Sequence, residues 1–291
     1  MGEIDLRRAG RVLRVRDGGA PDGRVVMYFH GTPSSRLDLT FGEQWAREHG
    51  VRLVCFDRPG YGGSTPAPFS LHSVALDAQA VADQLGCDRF ATLGQSGGGP
   101  FALASAAVLG DRVPRVGVAS APGPFGLVPG SLDQLDENDR TAYAMLPHDD
   151  LDAVARAFAR GFEPLIPTFE LAPAQIVAAF ADHMSRTDQR LLADERLAAA
   201  FSASMRESLR QGAMGAGWDN VSWVGPWDVD VTTLACPVLL WYGAEDRFVP
   251  LAHGRWLRDH LPHAHLIEAT GEGHLGIFEH LEDRLLALTA P

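Results

Sequence analysis

The chain is poor in cysteine: its 291 residues include only three, Cys55, Cys87 and Cys236. The number is odd, and no two of them have the CxxC spacing of metal and redox motifs. A disulfide framework or a structural zinc site is therefore not expected. Because Cys55 lies in the apolar segment VRLVCFD, we expect a small buried residue there, and the composition favours a reducing, cytoplasmic environment.

Long apolar runs, an excess of basic residues and nucleotide-binding motifs are also missing. No window approaches the roughly 18 apolar residues of a membrane-spanning helix, and the charged segment MGEIDLRRAGRVLRVRD lacks the apolar core of a signal peptide. The net charge is −12, so neither nucleic acid nor an anionic membrane is an expected partner. There is no P-loop, and RPGYGGS does not match G-x-G-x-x-G at the start of a helix. We expect a small-molecule substrate and no cofactor; the sequence leaves the oligomeric state open, with a monomer and a homodimer as examples.

The chain does contain a regular alternation of strand and helix patterns. Apolar segments such as RVVMYFHG, VRLVCFD and CPVLLWYG predict buried strands, with RVLRVRDGG as the opening strand. Helices such as LHSVALDAQAVADQLG separate them, which predicts an α/β fold with a parallel sheet covered on both faces. The alternation fails in residues 122–229, which are mostly helix-like, with MGAGWDNVSWVGPWDVD interpreted as a loop. We expect a core of residues 1–121 and 230–291 with residues 122–229 inserted above it.

A lone serine stands between glycines in the segment TLGQSGGGP, where a predicted strand meets a predicted helix. Gly94 to Gly98 matches G-x-S-x-G, and this strand-turn-helix context is the one the motif requires. A turn this tight holds its central residue at positive φ and leaves no room for side chains two positions away. The pattern predicts that Ser96 is raised above the carboxyl edge of the sheet as a nucleophile.

A serine nucleophile needs a base, and the base needs an orienting carboxylate. His274 lies in the glycine-rich segment TGEGHLGIF after the last predicted strand, and Asp246 lies in GAEDRFVP after the strand before it. Glu245 is the alternative acid beside it. The order Ser96, Asp246, His274 is the one expected when three loops meet at one edge of such a sheet.

Over nearly its whole length the sequence resembles the α/β-hydrolase fold superfamily. The motifs that carry the resemblance are HGTP, DRPGYGGS, GQSGGG, GAEDRFVP and GEGH. The resemblance implies a doubly wound, mostly parallel eight-stranded sheet with a helical cap insertion. It also implies Ser96 as nucleophile, Asp246 as acid and His274 as base, with the insertion forming a cap over the active site.

An acyl-transfer intermediate also needs two preorganised N–H donors. One is the amide of Gly97, and the H-G-x-P pattern of the family points to Thr32 for the other, with Gly31 and Ser34 still possible. His30 is expected to brace this loop.

Substrate-contacting side chains are less well marked. Gln95, Trp218 and Trp223 are candidates for contact with substrate. His260, His263 and His265 are interpreted as a solvated rim and not as a metal site, because no carboxylate cluster joins them.

A serine in the tight turn of the G-x-S-x-G motif favours acyl transfer to water. The sequence therefore predicts a carboxylesterase-like serine hydrolase. A carbon–carbon bond hydrolase and an amidase resembling the proline iminopeptidases are the alternatives within the fold. A ligand receptor with little turnover is the alternative from another class.

Overall fold

One eight-stranded sheet runs through the protein in a computed structural model, which describes residues 2–290. Its strands are β1 (Gly2–Arg8), β2 (Arg11–Gly19), β3 (Arg24–Phe29), β4 (Val51–Phe56), β5 (Ala91–Gln95), β6 (Val116–Ala119), β7 (Val238–Gly243) and β8 (Ala264–Ala269). The spatial order is β1-β2-β4-β3-β5-β6-β7-β8. All pairs from β4 to β8 are parallel, and β1 and β2 add an antiparallel edge. The predicted mostly parallel, eight-stranded sheet is confirmed.

Helices cover both faces of the sheet, as a doubly wound fold requires. The helices of the sheet domain are α1 (Glu43–Glu48), α2 (Leu71–Gln84), α3 (Gly99–Leu109), α11 (Leu251–His260), α12 (Gly276–Glu279) and α13 (Leu281–Thr289). Side chains of α2 and α3 pack on one face, and those of α1 and α13 pack on the other. Among residues 2–290 no helix has the length and apolarity needed to cross a membrane.

The first strand of the sheet is β1, so the prediction that RVLRVRDGG opens the fold is wrong; that segment is β2. The sequence of β1, GEIDLRR, is highly charged, and Leu6 is its one fully buried side chain. Its charges are paired across the sheet edge: Glu3 accepts hydrogen bonds from Arg14 at 2.9 Å and from Arg36 at 2.6 Å. An edge strand can carry such charges because one side of it faces solvent, and this obscures the apolar pattern.

The region between β6 and β7 is helical. Its helices are α4 (Glu137–Tyr143), α5 (Leu151–Phe162), α6 (Leu165–Phe169), α7 (Pro173–Phe180), α8 (Arg186–Leu191), α9 (Glu195–Ser208) and α10 (Met214–Trp223). We call α4 to α10 the helical segment. The predicted bounds of the insertion, 122 and 229, remain a prediction.

Helix α10 occupies most of the stretch that was expected to be a loop. Its glycines, which usually mark loops, permit close packing here. A Cβ on Gly217 would lie 2.2 Å from the carbonyl oxygen of Ala155 in α5, and one on Gly215 would lie 2.8 Å from the Tyr61 ring. The loop prediction was wrong because the glycines allow the contact between two helices, which local sequence does not reveal.

Candidate active site

Ser96 lies at a sharp turn between the buried strand β5 and the helix α3. Its φ is +52°, a value that non-glycine residues rarely adopt. The turn leaves no space beside it: a Cβ on Gly94 would lie 2.5 Å from the Gly98 carbonyl oxygen, and one on Gly98 would lie 2.0 Å from that of Phe29. The strained turn and the two obligatory glycines have the geometry expected of a nucleophile elbow.

His274 and Asp246 form a hydrogen-bonded pair at the same edge of the sheet. His274 follows β8, Asp246 follows β7, and the His274 Nδ1 atom lies 2.9 Å from Oδ2 and 3.1 Å from Oδ1 of Asp246. The amides of Phe248 and Val249 also donate to Asp246 Oδ1, at 2.8 and 2.9 Å. The alternative acid, Glu245, instead accepts from the hydroxyl of Thr187 at 3.2 Å.

The electrostatics of this pair suit a general base. Burial disfavours the Asp246 carboxylate, but His274 and the two backbone amides hold the pKa of Asp246 below its usual value. Burial likewise opposes charging of His274, yet the Asp246 and Asp188 carboxylates hold the pKa of His274 above its usual value. Because an ionised carboxylate can only accept, His274 Nδ1 carries the proton and Nε2 keeps a free lone pair.

Ser96 and His274 line one cavity of about 140 Å³. Its other walls are mostly apolar and come from both the sheet domain and the helical segment. The main apolar side chains are Phe180, Met184, Phe201, Met205, Phe248, Leu275 and Phe278. Within residues 2–290 the His274 ring hydrogen-bonds to Asp246 alone, so Ser96 is not yet bonded to it. Catalytic hydrogen bonds are often long without substrate and shorten when substrate binds.

The loop after β3 brings Thr32 next to Gly97. A Cβ on Gly97 would lie 2.2 Å from Thr32 Oγ1, so the two residues are in close contact. The Thr32 amide donates no hydrogen bond within the described chain, residues 2–290. It is therefore available to a ligand in the cavity, which Thr32 also lines.

His30 braces this loop from inside the protein, in the way the sequence suggested. It is fully buried, its Nδ1 donates to the Gly31 carbonyl at 2.9 Å, and its Nε2 accepts from the Arg58 amide at 3.3 Å. Burial and the nearby Arg58 charge hold the pKa of His30 well below its usual value, so the ring stays neutral. A neutral His30 can donate at one nitrogen and accept at the other, as these contacts require.

A family model of the α/β-hydrolase fold matches residues 24–281. The chain belongs to this family. It is 29% identical over 282 residues to a pimeloyl-[acyl-carrier protein] methyl ester esterase of Chromobacterium violaceum, covering 93% of this chain and 94% of that protein. It is 27% identical over 240 residues to a 2-hydroxy-6-oxo-6-phenylhexa-2,4-dienoate hydrolase of Burkholderia cepacia, covering 80% and 74% of the two chains.

Solved structures agree on the fold of this α/β-hydrolase. The structure of an α/β-hydrolase fold protein from Chitinophaga pinensis superimposes with a TM-score of 0.69 at 18% identity, covering 100% of this chain and 98% of that one.

The three candidate substrate residues of the hydrolase lie in different places. Gln95 is on the cavity wall, and its Nε2 donates to the His274 carbonyl at 3.4 Å. Trp218 and Trp223, in contrast, are not among the residues lining this cavity within residues 2–290. Trp218 packs on Phe69 and Trp223 packs on Phe125, with ring centroids 6.4 and 5.7 Å apart. Trp218 therefore packs between α10 and the sheet domain, whereas the indole nitrogen of Trp223 lies close to Gly97, 3.2 Å from where a Cβ on Gly97 would be.

Sequence reasoning missed two buried carboxylates of the helical segment that contact the site. Asp188 accepts from the amides of His274 and Leu275, and Asp219 accepts from the hydroxyl of Thr32. Both are fully buried. Asp188 had a local signal, because Ser185 and Asp188 form a capping box at the start of α8. No local sequence pattern marked Asp219 as a buried residue, because its segment was interpreted as a loop.

Proposed function

We propose that this hydrolase is a serine carboxylesterase that transfers small acyl groups to water. The observation that carries the proposal is the strained Ser96 turn, at φ +52°, on the same cavity as the hydrogen-bonded His274–Asp246 pair. A hydroxyl raised from the sheet edge, a base with a free nitrogen and a buried orienting carboxylate are the groups that acyl transfer requires.

In the proposed reaction Ser96 Oγ attacks the substrate carbonyl carbon while His274 Nε2 takes the hydroxyl proton. The resulting oxyanion accepts hydrogen bonds from the amides of Gly97 and Thr32. The intermediate collapses as His274 returns the proton to the leaving alkoxide, which departs as the alcohol. Water, activated by the same base, then attacks the acyl-enzyme and releases the acid and Ser96. Asp246 keeps the imidazole in the correct orientation and stabilises its charged form.

The size and the lining of the cavity favour a substrate with a small, apolar acyl or alcohol group. Its volume of about 140 Å³ is below the several hundred Å³ that drug-sized ligands occupy. Phe180, Met184, Phe201 and Met205 of the helical segment supply much of its apolar wall. We therefore propose that the helical segment acts as a cap that excludes water from the acyl-enzyme.

The first test is labelling with a fluorophosphonate together with hydrolysis of p-nitrophenyl acetate and butyrate. Wild type should be labelled and turn over, and Ser96→Ala should do neither. Ser105→Ala is the matched control, because Ser105 Oγ on α3 is buried and has no hydrogen-bond partner within residues 2–290. An unlabelled wild type would reject the proposal and favour a receptor with little turnover.

Carbon–carbon bond hydrolysis is a second candidate, supported by the 27% identity to the dienoate hydrolase. The same groups would act on it, because such a bond also breaks after attack at a carbonyl. Turnover of a vinylogous 1,5-diketone that exceeds turnover of p-nitrophenyl esters would favour this candidate over the esterase.

A further inference from the structure

A fully buried ion pair joins the helical segment to the loop after β4, which lies against the loop that carries Thr32. Arg58, after β4, is 1% exposed, and Asp219, on α10, is 0% exposed. Arg58 Nε and Nη2 donate to the two carboxylate oxygens at 2.7 and 2.6 Å. Such a pair is stable only when its remaining donors and acceptors are also satisfied, because both charges have lost their water.

The remaining acceptor capacity of Asp219 is filled by two hydroxyl groups. Thr32 Oγ1 and Tyr61 Oη each donate to Asp219 Oδ2 at 2.6 Å. Tyr61 belongs to the loop after β4, whereas Thr32 belongs to the loop after β3. One carboxylate of the helical segment thus fixes the side chain of the residue whose amide is the proposed oxyanion donor.

The remaining donors of Arg58 bond to the backbone of the loop after β3, which carries Thr32. Arg58 Nη1 donates to the His30 carbonyl at 2.7 Å, and Nη2 donates to the Gly31 carbonyl at 3.0 Å. The Gly31–Thr32 peptide bond is trans, so the Thr32 N–H points away from the Gly31 carbonyl oxygen. Fixing that oxygen on Arg58, with His30 Nδ1 as its second donor at 2.9 Å, therefore aims the Thr32 N–H to the opposite side.

We infer that Asp219 is a positioning residue that sets the orientation of the Thr32 amide. It acts through Arg58 on the Gly31 carbonyl and directly on the Thr32 hydroxyl; we call Asp219, Arg58 and Thr32 the Asp219 clamp. The inference rests on the proposed function, in which that amide stabilises the oxyanion. It follows that α10 is part of the catalytic architecture, and moving it away from the sheet would release the oxyanion donor.

Thr32→Val and Tyr61→Phe form a matched pair of tests. Each removes one hydroxyl that donates to Asp219 Oδ2 at 2.6 Å, but only Thr32 belongs to the oxyanion loop. Thr32→Val should lower kcat about tenfold with KM within about twofold, since preorganised donors act mainly on the transition state. Tyr61→Phe should lower Tm similarly while kcat stays within about twofold. A trifluoromethyl ketone, which mimics the tetrahedral intermediate, should bind Thr32→Val about tenfold more weakly.

Crystal structures of Thr32→Val and Asp219→Asn provide a readout that does not depend on activity. The inference expects the Gly31–Thr32 peptide to rotate in both variants and to keep its orientation in Tyr61→Phe. An unchanged peptide together with unchanged kcat in Thr32→Val would overturn it, even if Asp219→Asn does not fold. If wild type is not labelled at Ser96, the proposed function fails, and the peptide orientation still decides whether the clamp exists.

Discussion

The sheet and the helical segment supply different kinds of groups to the same cavity. The sheet edge contributes the groups proposed to react, Ser96 after β5 and His274 after β8. The helical segment contributes apolar wall residues and two buried carboxylates, Asp188 and Asp219, which contact backbone or side chains of the reacting loops. In the proposed function, therefore, the sheet edge supplies the reacting groups and the helical segment supplies groups that position them.

The two regions also differ in how their carboxylates are used. Asp246 of the sheet edge bonds to Nδ1 of the His274 ring, whose other nitrogen, Nε2, is proposed to gain and lose a proton. Asp188 and Asp219 bond to backbone amides, hydroxyls and a guanidinium, none of which changes protonation near neutral pH. Removing the first should therefore damage the chemical step itself, and removing the others should damage its geometry.

The largest effect is expected from Asp246→Asn. The amide can offer its N–H₂ to Nδ1 and so select the wrong tautomer of His274, which should lower kcat on the order of ten-thousandfold. Steady-state hydrolysis of p-nitrophenyl acetate measures this. Glu245→Gln, one residue away, should keep kcat within about threefold. If Glu245→Gln is instead the inactive variant, the acid has been assigned to the wrong carboxylate.

A smaller loss is expected from Gly97→Ala, which tests the contact between elbow and oxyanion loop. The new Cβ would lie 2.2 Å from Thr32 Oγ1, so it must push Thr32 aside and separate the two proposed amide donors. We expect kcat to fall about 10- to 100-fold with little change in KM. Gly126→Ala, where the nearest atom is Tyr143 Oη at 3.3 Å, is the control. Full activity in Gly97→Ala would mean that this contact does not shape the site.

Asp188→Asn should lower kcat modestly and should also shift the pH dependence of kcat/KM. Asp188 lies under the His274 loop, accepting from the His274 and Leu275 amides at 3.1 and 2.7 Å, and its charge helps to raise the pKa of His274. The base acts when it is neutral, so activity is lost as the pH falls through that pKa. Without the Asp188 charge the pKa is lower, and the acidic limb of kcat/KM should shift to lower pH, with kcat about tenfold lower. Asp194→Asn, at the start of α9, should leave the acidic limb where it is. An unshifted limb in Asp188→Asn would restrict Asp188 to a structural role.

The last expected effect is on stability and not on activity, at Asp139 within the helical segment. Burial, with Asp136 nearby, raises the pKa of Asp139 to about 6. Because of the raised pKa, the folded state binds the Asp139 proton more tightly than the unfolded state does. The stabilisation of the folded state by this proton is complete below about pH 4 and is lost as the pH rises through 6. The free energy of unfolding should fall by up to about 3 kcal/mol across that window.

Urea unfolding of Asp139→Asn at several pH values tests this, because the variant should not show that decrease. The exposed Asp133→Asn should behave like wild type. If the free energy of unfolding changes with pH in the same way in wild type and Asp139→Asn, then Asp139 is not the source of the pH dependence.

Most of the sheet and its reacting edge could be predicted from local sequence. Buried parallel strands are continuous apolar runs, and the order of their loops places Ser96, Asp246 and His274 at one edge whatever the details of packing. The glycines of the elbow are equally local, because the backbone of the turn itself leaves no space for side chains. β1 escaped prediction because an edge strand with paired charges has no comparable apolar run.

The fold family, the strained serine and the order of the groups around it follow from patterns within single segments, so local sequence is enough to predict them. Which residues of the helical segment contact these groups depends on the folded arrangement and could not be read from any single segment. The Asp219 carboxylate meets Thr32 and Arg58 across 187 and 161 residues of sequence, and neither Trp218 nor Trp223 belongs to the cavity wall within residues 2–290. Contacts of this kind depend on how helices cross, and crossing is set by small residues such as Gly217, whose effect appears only when its partner is in place.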